Sequence, residues 1–210
     1  MITIKGSPGG GLFGATLGFF VGFAAVSLFG PLAAHFKVVM NLSPIQVGLL
    51  VAMPSLSGSL LRIPFAAWVD TTGGRKPFLV LLGASILGMF GLALSVSFLD
   101  PTRLSGNVYV LFLFLGLLSG CGIATFSVGV SQVSYWFPQR NQGSALGVYA
   151  GIGNLAPGIF SFLLPLSLAR WGRGGSYFAW FFFLVAGAAV YFKLALNAGY
   201  FQLIRSGENP

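Results

Sequence analysis

Long apolar runs, separated by short polar breaks, extend over almost the whole chain. A helix needs about 20 apolar residues to cross the hydrocarbon core of a bilayer, and six runs are long enough. They predict membrane-spanning helices at residues 11–34, 44–69, 77–99, 108–135, 143–168 and 176–196, followed by a polar tail. Because no segment between these helices is long enough to fold alone, we expect an all-α membrane protein in which residues 1–210 form a single six-helix domain.

The composition points the same way. Of the 210 residues, 56% are hydrophobic and 7% are charged, whereas a soluble domain carries about 25% charged residues. So few charges cannot cover a water-facing surface, which excludes a soluble enzyme. The first apolar run is also longer than the core of a signal peptide, which has about 7–15 residues, so we interpret it as a retained membrane helix.

The charge balance is strongly positive, at +8. The cations lie singly between apolar runs and form no basic stripe, so we predict contact with the anionic head groups of the bilayer rather than with nucleic acid. Six spans place both termini on one side of the cell membrane, and the positive-inside rule makes that side the cytoplasm. That side carries Lys5, Arg75, Lys76, Arg140, Lys193 and Arg205, and the other carries Lys37, Arg103, Arg170 and Arg173.

Catalytic and cofactor-binding patterns are missing from the sequence. His35 is the only histidine and Cys121 the only cysteine, so neither a metal cage nor a Ser-His-Asp triad can be assembled. The glycines before Arg75 lack the spacing of a phosphate-binding P-loop. We therefore predict no enzyme activity, no cofactor and no metal.

Arg62 lies well inside the second predicted span, where a charge costs about 2.5–3.5 kcal/mol on insertion scales. The positions three, four and seven residues away share its helix face and are small, which favours contact with other helices. They are Ser55, Gly58, Ser59 and Ala66. No Asp or Glu lies within a span, so a buried guanidinium requires an external anion, and its planar fork suits a small oxyanion. The alternatives are a structural ion pair or snorkelling to the interface, which is about 10 Å away.

One face of the fifth predicted span is almost all glycine. Asn154 is its single polar side chain and could donate a hydrogen bond to a bound oxyanion or to a neighbouring helix. The face consists of Gly143, Gly147, Gly151, Asn154 and Gly158. The second and fifth spans are both interrupted by glycine and proline, and such paired interruptions mark transport sites.

Phenylalanines crowd the first predicted span. Aromatic rings could line an apolar path for an anion, but we interpret them as bulk that faces lipid. They are Phe13, Phe19, Phe20 and Phe23.

The loop between the second and third spans resembles the cytoplasmic loop signature of the major facilitator superfamily, roughly G-x-x-x-D-R-x-G-(G)-R-R. The residues that match are Asp70, Gly74 and Arg75. Ala66 replaces the first glycine of the signature, and Thr71 replaces its first basic residue. This resemblance implies a conformational loop with an Asp–Arg latch between helices.

The stretch from Gly122 to Gly158 is similar to the nitrate/nitrite porters of the same superfamily. Their glycine-rich fifth helix carries G-x-G-N, matched here by Gly151, Gly153 and Asn154. Ala156 departs from the family, which often has glycine there. Arg62, followed by Ile-Pro-Phe, matches the arginine of the family that binds substrate.

The resemblance covers residues 11–196 and implies the N-terminal half of a twelve-helix porter that works by alternating access. Arg62 and an arginine of the second half would clamp nitrate or nitrite, with Asn154, Gly151 and Gly153 nearby. The lack of carboxylates in the spans favours anion antiport over proton symport. Two alternatives stay open, namely a facilitator for another small solute, and a split half that does not transport alone and serves as an assembly subunit.

Overall fold

The helices of the protein follow one another with short connections. The structure, a computed structural model, describes residues 3–98 and 106–207, which contain no strand. Its helices are α1 (Pro8–Phe23), α2 (Ala33–Val39), α3 (Pro44–Leu60), α4 (Arg62–Thr72), α5 (Arg75–Phe98), α6 (Gly106–Gly120), α7 (Thr125–Trp136), α8 (Gln139–Gly153), α9 (Leu155–Leu194) and α10 (Gly199–Ser206). Leu99, which ends the predicted third span, and Arg103 lie outside the described residues. The all-α membrane fold is confirmed.

Five helical stretches are long and apolar enough to cross a membrane. They are Pro8–Val39, Pro44–Thr72, Arg75–Phe98, Val108–Trp136 and Gln139–Leu194. The last has 56 residues and folds back on itself at Gly172, whose backbone is not helical (φ 66°, ψ −176°). As a result, the ring of Phe160 lies 4.7 Å from that of Trp180. This stretch therefore crosses twice, and we number the six crossings spans 1 to 6, with spans 5 and 6 meeting at Gly172.

Gly172 replaces the loop that the sequence predicted between spans 5 and 6. A positive φ of 66° is readily adopted only by glycine, because any Cβ would meet the neighbouring backbone. A single residue is therefore enough to reverse the chain. Close to this turn, Nη1 of Arg173 lies 2.7 Å from Nε2 of His35, which ties span 6 to span 1.

Spans 1, 2, 4 and 5 are broken within the bilayer region, whereas spans 3 and 6 continue without a break in the described residues. A 3₁₀ turn at Ala24–Ser27 breaks span 1, and another at Cys121–Ala124 breaks span 4. Span 2 is broken at Leu61, and span 5 at Asn154. Broken helices expose backbone groups only where they are buried in protein or line a cavity, so these four spans are the ones expected to surround a site.

Proline explains two of these breaks. Pro64 comes three residues after Leu61, and Pro157 comes three residues after Asn154. Proline has no N–H to donate, and its ring clashes with the carbonyl four residues earlier, so the helix loosens just before it. Spans 2 and 5 thus share one local geometry, which places Arg62 and Asn154 beside equivalent breaks.

Backbones approach very closely at the centre of the bundle, where span 1 crosses span 4. A Cβ built on Gly22 would lie 2.5 Å from the carbonyl oxygen of Gly122. One built on Gly120 would overlap the backbone of Pro54 in span 2. Small residues allow this approach, which gives membrane helices their van der Waals contact in the absence of water.

The substitution Gly22→Ala tests this crossing. The added methyl group meets backbone atoms, which cannot rotate away, so we expect the free energy of unfolding to fall by about 1–3 kcal/mol. Gly147→Ala is the matched control, because nothing lies within 4 Å of its Cβ. Thermal unfolding of the purified chain in detergent, followed by circular dichroism, measures both variants. Equal stability of the two would contradict the close crossing.

The predicted polar tail contains a helix, α10. Gln202 joins it to the N-terminal segment, since its side chain donates to the carbonyl of Lys5 at 2.7 Å and accepts from the backbone N–H of Lys5 at 2.9 Å. Trp136 Nε1 donates to the carbonyl of Leu196 at 3.0 Å, which ties the end of span 4 to the segment before α10. The two described ends of the chain therefore lie together at one end of the bundle.

Candidate functional site

Arg62 begins α4, immediately after the break at Leu61. Its guanidinium carbon lies 5.3 Å from the centroid of the Phe126 ring on span 4, a distance at which a cation is attracted to the ring face. Its Nε is buried and has no hydrogen-bond partner among the described residues. A buried donor without an acceptor is unfavourable, so this position would gain stability from an incoming acceptor. The geometry is that of an arginine turned into the bundle.

Acidic residues are scarce around this arginine. Asp70 is the only one in the described part of the chain, and it lies at the far end of α4. Its carboxylate accepts a hydrogen bond from the Tyr135 hydroxyl at 3.3 Å. Within the described residues, the positive charge of Arg62 is therefore not neutralised by a carboxylate.

Three aromatic side chains form a cluster beneath Arg62. The ring centroid of Phe19 (span 1) lies 5.3 Å from that of Phe126 (span 4) and 5.2 Å from that of Tyr149 (span 5). The buried Tyr149 hydroxyl is within reach of two carbonyls at the break of span 4, those of Thr125 (2.9 Å) and Phe126 (3.1 Å). Each of the four broken spans thus contributes one side chain to the site, and the aromatic cluster is Phe19, Phe126 and Tyr149.

The interpretation of the first span as lipid-facing bulk is wrong for Phe19. Its side chain is 0% exposed, whereas that of Phe13 is 59% exposed. Phe126 and Tyr149 were not singled out in the sequence at all. The one signal for Phe126 was its place directly after a run of small residues that ends span 4's first half.

The residues matched by G-x-G-N divide between two environments. Gly153 is buried, and a Cβ there would overlap the Phe19 ring, so this glycine belongs to the aromatic cluster. Gly151 faces open space, with nothing within 4 Å of its Cβ. Asn154 is exposed, and its side-chain amide donates to the Ala150 carbonyl of its own helix at 2.7 Å. Among the described residues, no hydrogen bond joins Asn154 to Arg62.

The glycine face of span 5 is an uncovered surface. Nothing lies within 4 Å of a Cβ built on any of its glycines, and Asn154 on the same face is exposed. We call this surface the glycine face, and its residues are Gly143, Gly147, Gly151, Asn154 and Gly158. It is smooth because it lacks side chains, so another helix can approach its backbone closely.

The loop between spans 2 and 3 is held by residues other than those implied by the family signature. Nη2 of Arg75 donates to the carbonyl of Phe192 in span 6 at 2.7 Å, and its guanidinium carbon lies 4.8 Å from the Phe192 ring centroid. Asp70 bonds to Tyr135 of span 4. The two latch residues therefore fasten the loop to two different spans, and no salt bridge joins them. Gly74 packs on span 4, since a Cβ there would lie 2.6 Å from Cβ of Gln132.

The fold and the site define a multi-pass membrane transporter. The sequence model of the Major Facilitator Superfamily matches residues 15–206, and the chain belongs to this superfamily. Among curated relatives, it is 34% identical over 145 residues to the nitrate/nitrite transporter NarU of Salmonella typhimurium, covering 69% of this chain and 30% of NarU. It is 33% identical over 150 residues to the probable nitrate transporter NarT of Staphylococcus aureus, covering 71% of this chain and 36% of NarT. The chain thus spans about a third of the length of these relatives, and its resemblance to nitrate/nitrite porters is confirmed.

Proposed function

We propose that this chain is the N-terminal six-helix half of a twelve-helix porter that carries nitrate and nitrite across the cell membrane. Both termini then lie in the cytoplasm, on the side with more cations. The observation that carries the proposal is Arg62, a cation inside the bundle whose Nε lacks a partner among the described residues. The substrate follows from the printed names of the relatives, which are nitrate or nitrite transporters.

The proposed site binds the anion between Arg62 and the second half. A guanidinium offers parallel N–H donors that match two oxygens of a planar oxyanion, and these bonds are strong where water is excluded. The ring of Phe126 supports the guanidinium from the other side, at 5.3 Å. The second half would supply another arginine, so that the anion is held between two cations. Asn154, Gly151 and Gly153 would lie close to it.

Alternating access would use the broken spans and the glycine face. The halves rock around a site near the middle of the membrane, and the glycine face lets the second half move over span 5 without side chains in the way. Asp70, Gly74 and Arg75 would hold the loop of spans 2 and 3 during this motion. The spans described contain one carboxylate, at the end of α4, so an exchange of anions fits better than proton symport.

The test is transport by the chain after fusion to the C-terminal half of NarT. We expect proteoliposomes with the fused protein to take up labelled nitrate, and excess nitrite to reduce this uptake at least about tenfold, because both anions present two oxygens to Arg62. Glucose at the same concentration should leave uptake unchanged. Inhibition by glucose, or uptake that nitrite does not affect, would rule out this substrate class and favour another small solute.

A second role, that of an assembly subunit without transport of its own, is favoured by the uncovered glycine face. The chain alone in proteoliposomes should then show no nitrate uptake above empty liposomes. Adding a separately expressed second half should restore it. Uptake by the chain alone would contradict this role.

A further inference from the structure

A cavity of about 600 Å³ lies at the end of the bundle that carries both described chain ends. Its walls are the loop between spans 2 and 3, the N-terminal segment and α10. Four of its lining residues are cations, namely Lys5, Arg75, Lys76 and Arg205. Asp70, the one acidic residue in the described part of the chain, does not line it. The cavity, which we call the basic pocket, therefore concentrates positive charge that no lining residue offsets.

Hydrogen bonds hold the walls of the basic pocket together. The Asn197 side chain donates to the carbonyl of Thr72 at 3.0 Å and accepts from the backbone N–H of Arg75 at 2.9 Å. Gln202 is bonded to the backbone of Lys5 in both directions. These bonds use backbone and amide groups, and they leave the ammonium groups of Lys5 and Lys76 on exposed side chains. The pocket is thus preformed, and its cations need no rearrangement to meet an anion.

The apolar face of α10 sets the depth of the pocket in the membrane. Tyr200 and Ile204 are one turn apart on α10 and are 45% and 48% exposed. Ile4, which a Cβ on Gly199 would contact at 2.9 Å, is 48% exposed as well. A short helix with aromatic and aliphatic side chains on one face lies in the interface between head groups and acyl chains. The basic pocket then opens at the level of the lipid phosphates.

We propose that the basic pocket binds a phosphate group, carried by an anionic phospholipid or by a soluble phosphate. Ammonium groups bind phosphate oxygens as point charges, and a guanidinium binds them as a fork. Basic pockets at the cytoplasmic ends of membrane helices attract anionic head groups. The bound phosphate bridges α10, the N-terminal segment and the loop of spans 2 and 3. This site is separate from Arg62, which does not line the pocket.

The test compares two double variants of the full chain that lose the same charge. Lys5→Gln with Lys76→Gln removes two exposed cations of the pocket. Arg140→Gln with Lys193→Gln removes two exposed cations on the same side of the membrane but outside the pocket. Each purified protein is incubated with equal amounts of phosphatidylglycerol and phosphatidylcholine, and the retained lipids are counted by native mass spectrometry.

We expect the unchanged chain to retain phosphatidylglycerol over phosphatidylcholine, the pocket variant to lose this preference about tenfold or more, and the control variant to keep it within about twofold. A parallel titration with inorganic phosphate, read as a rise in unfolding temperature, detects a soluble ligand. A pocket-dependent response to inorganic phosphate alone would assign the site to soluble phosphate. Equal losses in both variants, or no pocket-dependent response to either probe, would overturn the proposal.

Discussion

Replacing Arg62 with alanine is expected to lower nitrate uptake by the fused porter at least about 100-fold. The change removes a charged hydrogen-bond donor from a site sheltered from water, where such a loss costs about 2–5 kcal/mol, and each 1.4 kcal/mol is a factor of ten. Arg62→Lys keeps the charge and loses the planar fork, so we expect an intermediate loss of about tenfold or more. The initial rate of labelled nitrate uptake measures both.

The stability of the same variants separates a substrate role from a structural one. Since Arg62 has a buried Nε without a partner, its removal should leave the unfolding temperature unchanged or raise it. Arg140→Ala, at an exposed position near the start of α8, is the matched control and should keep uptake within about twofold. A fall in stability that parallels the loss of uptake would show that Arg62 is structural.

Replacing Gly151 with leucine is expected to lower uptake by the fused porter about tenfold or more without affecting the chain's own folding. Nothing lies within 4 Å of a Cβ at this position, so the side chain meets no atom of this half. It would instead stand between the glycine face and the second half and hold the two apart, which is the cost of overpacking, about 1–3 kcal/mol. Uptake of labelled nitrate and thermal unfolding of the unfused chain measure the two effects.

Gly83→Leu is the matched control for this prediction. Gly83 also has nothing within 4 Å of its Cβ, but it lies in α5, which has no break and is not part of the glycine face. The same added side chain there should leave uptake within about twofold. If both leucine variants lose uptake equally, the glycine face does not contact the second half.

Helix positions and the two most unusual residues could be predicted from the sequence. Every backbone polar group in a bilayer must be bonded within its own helix, so long apolar runs identify membrane helices reliably. The cost of a charge in lipid singles out Arg62 without any knowledge of its neighbours. Helical periodicity likewise puts the glycines of span 5 on one face.

The neighbours of Arg62 could not be predicted in this way. Lipid tails and the interior of a helix bundle are equally apolar, so hydrophobicity does not tell whether a phenylalanine faces inward. Phe19 and Phe13 therefore look alike in the sequence, although one is buried and the other is 59% exposed. The contact between Phe126 and Tyr149 depends on how spans 4 and 5 pack, which is a property of the tertiary structure.

The polar groups at the chain end show the same limit. Gln202 and Asn197 look like residues of an unstructured tail, because their short segment is polar on average. Their bonds go to Lys5 and Thr72, 197 and 125 residues away along the chain. Local composition carries no information on partners so distant.

The four breaks lie close together, since Gly22 meets Gly122 and Gly153 meets Phe19, while spans 3 and 6 are straight over their described lengths. The protein is therefore built like a jointed lining beside two stiff struts. Bending can be concentrated where the intrahelical ladder is already interrupted, so short half-helices can tilt while the struts keep their shape. Opening toward one side of the membrane then needs no intact helix to be unwound.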